Sequence, residues 1–181
     1  MNKILAIFFL ILLAPLLILI SLIIVLEDGF PIIFRQKRIG LNNTHFSIFK
    51  FRTMKKNTPD IPTHLMVNNR PYTRMGPYIR KYSLDELPQL LNIVRGEIKF
   101  IGPRPALYNQ KDLIKMRTEK NIHTLLPGIT GWAQVNGRDE ISLNQKVELD
   151  YYYLKNMSFR LNIFILWLTI MKVIKAEGVS I

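Results

Sequence analysis

Three segments of the chain have residue types and spacing suited to chemistry. The densest is Arg80-Lys81-Tyr82-Ser83-Leu84-Asp85-Glu86-Leu87-Pro88, where two adjacent carboxylates follow an arginine. Ser83 and Glu86 have the spacing of a capping box, and Pro88 is tolerated best in a helix's first turn. A helix starting there would set Asp85 and Glu86 at the positive end of its dipole. That position keeps carboxylates ionised and offers free N–H groups to a phosphate. The bland alternative is capping alone, because acidic first turns are ordinary. The second segment is Gly102-Pro103-Arg104-Pro105, in which prolines stiffen the backbone around one arginine. It suits a guanidinium presented to a phosphate or carboxylate, or else a stiff loop with a solvated arginine. The third is Pro127-Gly128-Ile129-Thr130-Gly131-Trp132-Ala133-Gln134-Val135-Asn136-Gly137-Arg138. Its glycines allow tight turns and close ligand approach; a turn-rich connector is the plainer reading.

Composition narrows the partners. The 181 residues allow one domain with a real core plus a membrane element. A net charge of +12 and a pI near 10.0 point to an anionic partner: nucleic acid, anionic lipid or phosphorylated substrate. No aromatic and basic pattern of a nucleic-acid module is present, so no nucleic-acid partner is expected. Without cysteine there is no disulfide and no thiolate metal site. Phosphate-loop and dinucleotide fingerprints are missing, as is an Asp-x-Asp pair. His45, His64 and His123 are too scattered for a convincing metal site.

Apolar residues are concentrated at the two ends. Residues 4–26 form an apolar run interrupted only by Ser21 and by Pro15 near its middle. The run is long enough to cross a bilayer, which needs about 20 residues. It is too long, and too poor in small residues after it, for a cleaved signal peptide. Pro15 lacks an N–H and should kink the helix, leaving a kinked span and a re-entrant hairpin both open. Arg35, Lys37, Arg38, Lys50, Arg52, Lys55 and Lys56 follow without an acidic residue up to Pro59, which places residues 31 onward on the cytoplasmic side.

The intervening chain reads as short strands at 31–35 and 45–51 around a turn at 40–43, and a proline-rich loop at 57–71. Helices are expected at 74–82, 87–95, 106–119 and 143–156, with a strand at 98–101. Residues 159–175 form a strongly apolar helix flanked by Arg160, Lys172 and Lys175, with Trp167 in its middle. That suits a helix lying in the membrane interface or a helix packed in the core. These elements make an α+β chain: a small, mostly helical cytosolic domain with short strands, an N-terminal membrane helix and interfacial amphipathic helices.

Four segments occur in order: Phe49-Lys50-Phe51-Arg52-Thr53-Met54, Ser83-Leu84-Asp85-Glu86-Leu87-Pro88-Gln89-Leu90, Gly102-Pro103-Arg104-Pro105 and Pro127-Gly128-Ile129-Thr130-Gly131-Trp132-Ala133-Gln134. Together they resemble the bacterial sugar transferase family, the monotopic polyprenyl-phosphate phosphoglycosyl transferases in their minimal catalytic form. The likeness runs over nearly the whole chain. It implies attack by Asp85 on the sugar-linked phosphate of a UDP-sugar, departure of UMP, and transfer of the sugar phosphate to undecaprenyl phosphate. The product would open the membrane stage of a glycoconjugate pathway: capsule, O-antigen or glycoprotein glycan. The resemblance further implies Mg2+ at Glu86, phosphate oxygens held by Arg80 and Arg104, and a re-entrant helix broken at Ala14-Pro15. It places membrane lipids among the partners and the bacterial inner membrane as the location. Residues 1–28 would be the membrane helix-break-helix and 29–181 the catalytic domain.

The chain departs from the family's pattern in places. Ala14-Pro15 stands where a Ser-Pro pair is usual, so a hydroxyl that could satisfy freed backbone groups is absent. The basic segment that commonly precedes the apolar run is reduced to Asn2 and Lys3, so a headgroup contact is weakened or the start lies upstream. Leu126 precedes Pro127, where arginine is frequent. Residues 58–66 and 106–110 resemble members handling N-acetylated 6-deoxyhexoses. Oligomeric state is not legible. Two other readings compete: a membrane-anchored basic scaffold that binds anionic lipid, and an ordinary glycosyltransferase that releases UDP.

Overall fold

In the computed structural model, which describes residues 2–56, 58, 71–137 and 141–175, the N-terminal apolar run bends where proline removes a donor. Helices α1 (Asn2–Leu12) and α2 (Ala14–Asp28) are bent by 63°. Pro15 sits in the first turn of α2, where a missing N–H costs least, and its ring cannot pack on the carbonyl four residues back in α1. Among the described residues, no single helix is long and apolar enough to cross a membrane. Each helix buries one face on the rest of the chain. Ala6 packs with Leu90, Ile93 and Ile98, and Ile20 and Ile24 pack with Phe51 and Ile79. The opposite faces leave Ile4, Phe8, Ile11, Ile18, Leu22 and Leu26 exposed.

Strands β1 (Ile33–Ile39) and β2 (His45–Phe51) form an antiparallel hairpin, with Ile33 opposite Phe51 and Ile39 opposite His45. Asn42 and Asn43 turn the chain at φ 50° and 60°, a left-handed conformation asparagine tolerates. β1 runs past the expected 31–35 because pairing with β2 overrides its polar Gln36-Lys37-Arg38 stretch. Beyond β2 the chain returns on itself: Pro71 O accepts from Lys55 N–H and Thr53 O from Thr73 N–H. Helix α3 (Gly76–Lys81) follows, then a 3-10 turn at Leu84–Glu86 and helix α4 (Gln89–Arg95). Gly96, at φ 81°, ends α4.

Strand β3 (Lys99–Ile101) pairs in parallel with β4 (Gly128–Thr130), a strand hidden in sequence by its glycine and proline neighbours. Helix α5 (Lys111–Glu119) is shorter than the expected 106–119. Residues 106–110 are spent elsewhere: Ala106 O accepts from Ile39 N–H, and Leu107 bridges Arg38. Helix α6 (Trp132–Val135) is one turn, and α7 (Leu143–Asn156) and α8 (Phe159–Lys175) keep their expected bounds. Ser142 and Gln145 form a reciprocal capping box at the start of α7. On α8, Ile165 is fully buried with Val135 and Tyr153, while Phe159, Ile163, Trp167, Ile170 and Ile174 are exposed. The helix is thus core on one face and openly apolar on the other. Among the described residues the architecture is α+β, helices around two small two-stranded sheets.

Candidate active site

Four elements converge on the carboxylate pair. β2 supplies Lys50, the last turn of α3 supplies Arg80, the 3-10 turn supplies Asp85 and Glu86, and the loop after β3 supplies Arg104. Glu86 Oε1 accepts from Lys50 Nζ at 2.7 Å and from Arg104 Nη2 at 3.2 Å. Lys50 Nζ also stands 3.7 Å from Asp85 Oδ2. Both carboxylates belong to residues only 8% exposed. Among the described residues, no hydrogen bond reaches the Asp85 carboxylate. Burial pushes Asp85 above the usual carboxylate range. Lys50 opposes this most strongly, Glu86 adds to it, and Arg80 and Arg104 oppose it. Arg80 also lies over the Tyr72 ring, 5.4 Å from its centroid.

The capping box expected at Ser83 and Glu86 does not form. Ser83 adopts a left-handed φ of 55° and caps nothing, and α4 begins only at Gln89, with Pro88 as its cap. The reason is electrostatic: two charge-assisted hydrogen bonds to Glu86 outcompete one to a backbone N–H. Asp85 and Glu86 therefore lie ahead of α4, not in its first turn. Burial is the largest influence on Asp85.

Arg104 is aimed by its loop. Arg38 Nη1 donates to Pro105 O at 3.0 Å, and Arg117 Nη1 donates to Arg104 O at 2.8 Å. Arg117 is itself held by Asp150, whose Oδ2 accepts from its Nε at 3.0 Å and from its Nη2. Burial pushes Asp150 upward against the charge and hydrogen bonds of Arg117 and the charge of Lys146. Gly128 and Gly131 of the third segment serve this loop. A Cβ at Gly128 would lie 2.1 Å from Gly102 N, and one at Gly131 would lie 2.1 Å from Gly102 O. Here the chain packs closely on itself. Arg138, at the end of that segment, lies outside the described residues.

Lys50, Arg117 and Asp150 were not singled out as site residues from sequence. A signal existed for two of them. Lys50 is a charge between Phe49 and Phe51 in a strand, which must find a partner when buried. Asp150 falls between Val147 and Tyr153 on the buried face of α7. Among the described residues, no three His, Asp or Glu side chains converge as a ready-made metal site. His64 and most of residues 58–66 lie outside the described residues, and Ala106 and Leu107 are buried.

A carboxylate left without a hydrogen bond, beside one that gathers two cations, suits reaction at a phosphorus atom: the first can attack while the cations neutralise phosphate oxygens. The comparisons with known proteins point the same way. The chain belongs to the bacterial sugar transferase family, which matches residues 1–176. It is 45% identical over 157 residues to the uncharacterized sugar transferase EpsL of Bacillus subtilis (strain 168), covering 86% of this chain and 76% of that protein. It is 41% identical over 170 residues to the undecaprenyl-phosphate glucose phosphotransferase of Komagataeibacter xylinus, covering 87% of this chain and 32% of that one. It is 35% identical over 171 residues to the UDP-N-acetylgalactosamine-undecaprenyl-phosphate N-acetylgalactosaminephosphotransferase of Aeromonas hydrophila, covering 91% and 40%. The chain therefore spans well under half of the two relatives whose names state a reaction.

Proposed function

We propose that the protein transfers a sugar 1-phosphate from a UDP-sugar to undecaprenyl phosphate, releasing UMP, with Asp85 as covalent nucleophile. The observation that carries the assignment is the unequal coordination of the pair: Glu86 binds Lys50 and Arg104, while Asp85 is buried without a hydrogen bond among the described residues. An Asp85 oxygen attacks the sugar-linked phosphorus, and the bond from that phosphorus to the bridging oxygen breaks. The bridging oxygen and its electron pair leave with UMP. An oxygen of the lipid phosphate then attacks the same phosphorus, breaking the acyl-phosphate bond and restoring the Asp85 carboxylate. Arg80 and Arg104 hold phosphate oxygens in both steps, and Lys50 keeps Glu86 in place. A magnesium ion commonly takes one or two carboxylates together with phosphate oxygens, and Glu86 beside Asp85 meets that requirement. Bound there, Mg2+ would neutralise charge on the diphosphate.

The same reading places the protein at the bacterial inner membrane. The exposed apolar faces of α1 and α2 and the outer face of α8 support a re-entrant N-terminal pair, a cytoplasmic catalytic domain over 29–181 and an α8 lying in the interface. The product would feed synthesis of a polysaccharide or other glycoconjugate. The deciding experiment incubates the full chain with a panel of UDP-sugars: UDP-glucose, UDP-N-acetylgalactosamine and N-acetylated 6-deoxyhexose donors. UMP release before any lipid is added, with a sugar-phosphate adduct on Asp85 that hydroxylamine removes, is the expected result. Release of UDP, an adduct on Glu86, or strictly sequential kinetics without an adduct would overturn the mechanism. Tags at both termini should be shielded from periplasmic labelling in intact cells; a labelled N-terminus would mean a spanning helix.

A further inference from the structure

The end of α2 is tied into the site by contacts that the transfer chemistry leaves unused. Arg52 is 6% exposed and lies just beyond β2, two residues after Lys50. Its Nη2 donates to Asp28 O at 3.0 Å and to Gly29 O at 2.6 Å, and pairs with Asp28 Oδ2 at 3.1 Å. The last carbonyls of a helix have no intrahelical donor and carry the negative end of its dipole, so a buried guanidinium there takes the place of water. α3 is tied to the same end, because Glu27 Oε2 accepts from Met75 N–H at 3.2 Å. α3 is also pressed on the chain leaving β2: a Cβ at Gly76 would lie 2.1 Å from Thr53 O. The strand and the helix that meet α2 here carry Lys50 and Arg80, two of the cations around Asp85.

We propose that Arg52 is a positioning residue for the transfer reaction, locking the end of the broken helix pair to the strand that carries Lys50, so that the seating of those helices sets the geometry of the Asp85–Glu86 pair. The inference rests on the function proposed above. Lys50 and Arg52 are two residues apart on extended chain, so their side chains leave on the same side. A shift of the α2 end therefore reaches Lys50 with no flexible segment between. Lys50 passes it to Glu86 through the 2.7 Å bond. Misplacement of a reacting group by about 1 Å can cost on the order of 100-fold in rate, while binding of the nucleotide-sugar changes little.

The test uses the full chain in lipid nanodiscs, with the donor that supports turnover in the panel above. Arg52→Lys keeps the charge but loses the planar fork. Its kcat for UMP release should fall roughly 10- to 100-fold, with KM for the UDP-sugar within about twofold of wild type. Glu27→Gln, which loosens the second tie, should show a smaller loss on the same side of that split, and it decides the matter if Arg52→Lys does not fold. Val147→Ala, in a core cluster away from these ties, should lose stability but keep kcat. Because the chain has no cysteine, spin labels at Leu22→Cys and Ser47→Cys read the distance from α2 to β2 independently of activity. Arg52→Lys should broaden that distance distribution. An unchanged kcat, a loss carried wholly in KM, or an unchanged distribution would overturn the proposal. Wild-type protein that releases UMP from no donor would overturn the function itself, while the label distances still report whether the tie exists.

Discussion

Asp85 and Asp150 are both buried carboxylates beside basic side chains, and burial pushes both above the usual carboxylate range. Their coordination differs. Asp150 accepts two N–H groups of one guanidinium, and that guanidinium spends its remaining arm on the Arg104 carbonyl. Asp85 has Lys50 Nζ at 3.7 Å and no hydrogen bond among the described residues. A saturated pair of this kind joins α7 to α5 and stiffens the loop that aims Arg104. An unsaturated carboxylate keeps its lone pairs for a substrate, and the fold bears the cost of its desolvation. The same residue type, buried in both places though less completely at Asp85, is saturated with donors in one and left without a hydrogen bond among the described residues in the other.

Substitutions at the two positions should therefore part activity from stability. The largest effect is expected from Asp85→Asn, which should reduce UMP release and adduct formation to the assay floor, because an amide is a poor nucleophile. The same variant should melt higher than wild type at neutral pH. A carboxyl whose pKa rises on folding contributes stability that is present at low pH and lost as pH rises through its folded value. The melting advantage of Asp85→Asn should accordingly shrink as pH is lowered toward the ordinary carboxylate range. A variant that melts lower at neutral pH would show that Asp85 is a structural partner like Asp150.

Asp150→Asn should behave the opposite way. It leaves Arg117 buried without a counter-charge, at a cost of about 3–5 kcal/mol, read as a lowered denaturation midpoint. An Asp150→Asn protein as stable as wild type would erase the contrast. Arg104→Lys keeps the charge but not the bidentate fork. Loss of a charged hydrogen bond worth about 1.5–3 kcal/mol should raise KM for the UDP-sugar roughly tenfold or more, with the fold intact by circular dichroism. The smallest effect is expected at Ser142→Ala, which removes the cap of α7 and should cost about 1 kcal/mol with UMP release unchanged. A loss of activity there would show that α7 does more than hold Arg117 through Asp150.

Legibility from sequence followed the range of the forces involved. α7 and α8 were readable because apolar periodicity and a local cap decide a long helix. The hairpin turn was readable because asparagine and glycine mark it. β4 was not, since three residues among glycine and proline become a strand only by pairing with β3. Residues 106–110 looked helical and are not, because β1 claims their backbone groups. In the site, Asp85, Glu86, Arg80 and Arg104 were visible as motif residues, but the capping box assigned to Ser83 and Glu86 was wrong for a reason no local rule contains. Lys50 comes from 36 residues away and Arg104 from 18 to take the Glu86 oxygen.

By itself, the sequence determined the motif residues of the candidate site, the family, the break at Pro15 and the apolar ends, all set by residue type and near-neighbour spacing. Only the tertiary structure decided which carboxylate is saturated and which is left bare. That depends on donors brought together across long loops, where burial and charge act over distance. The tertiary structure also decided that Gly128 and Gly131 seat one backbone on another, and that Arg52 joins the end of α2 to the strand of the site.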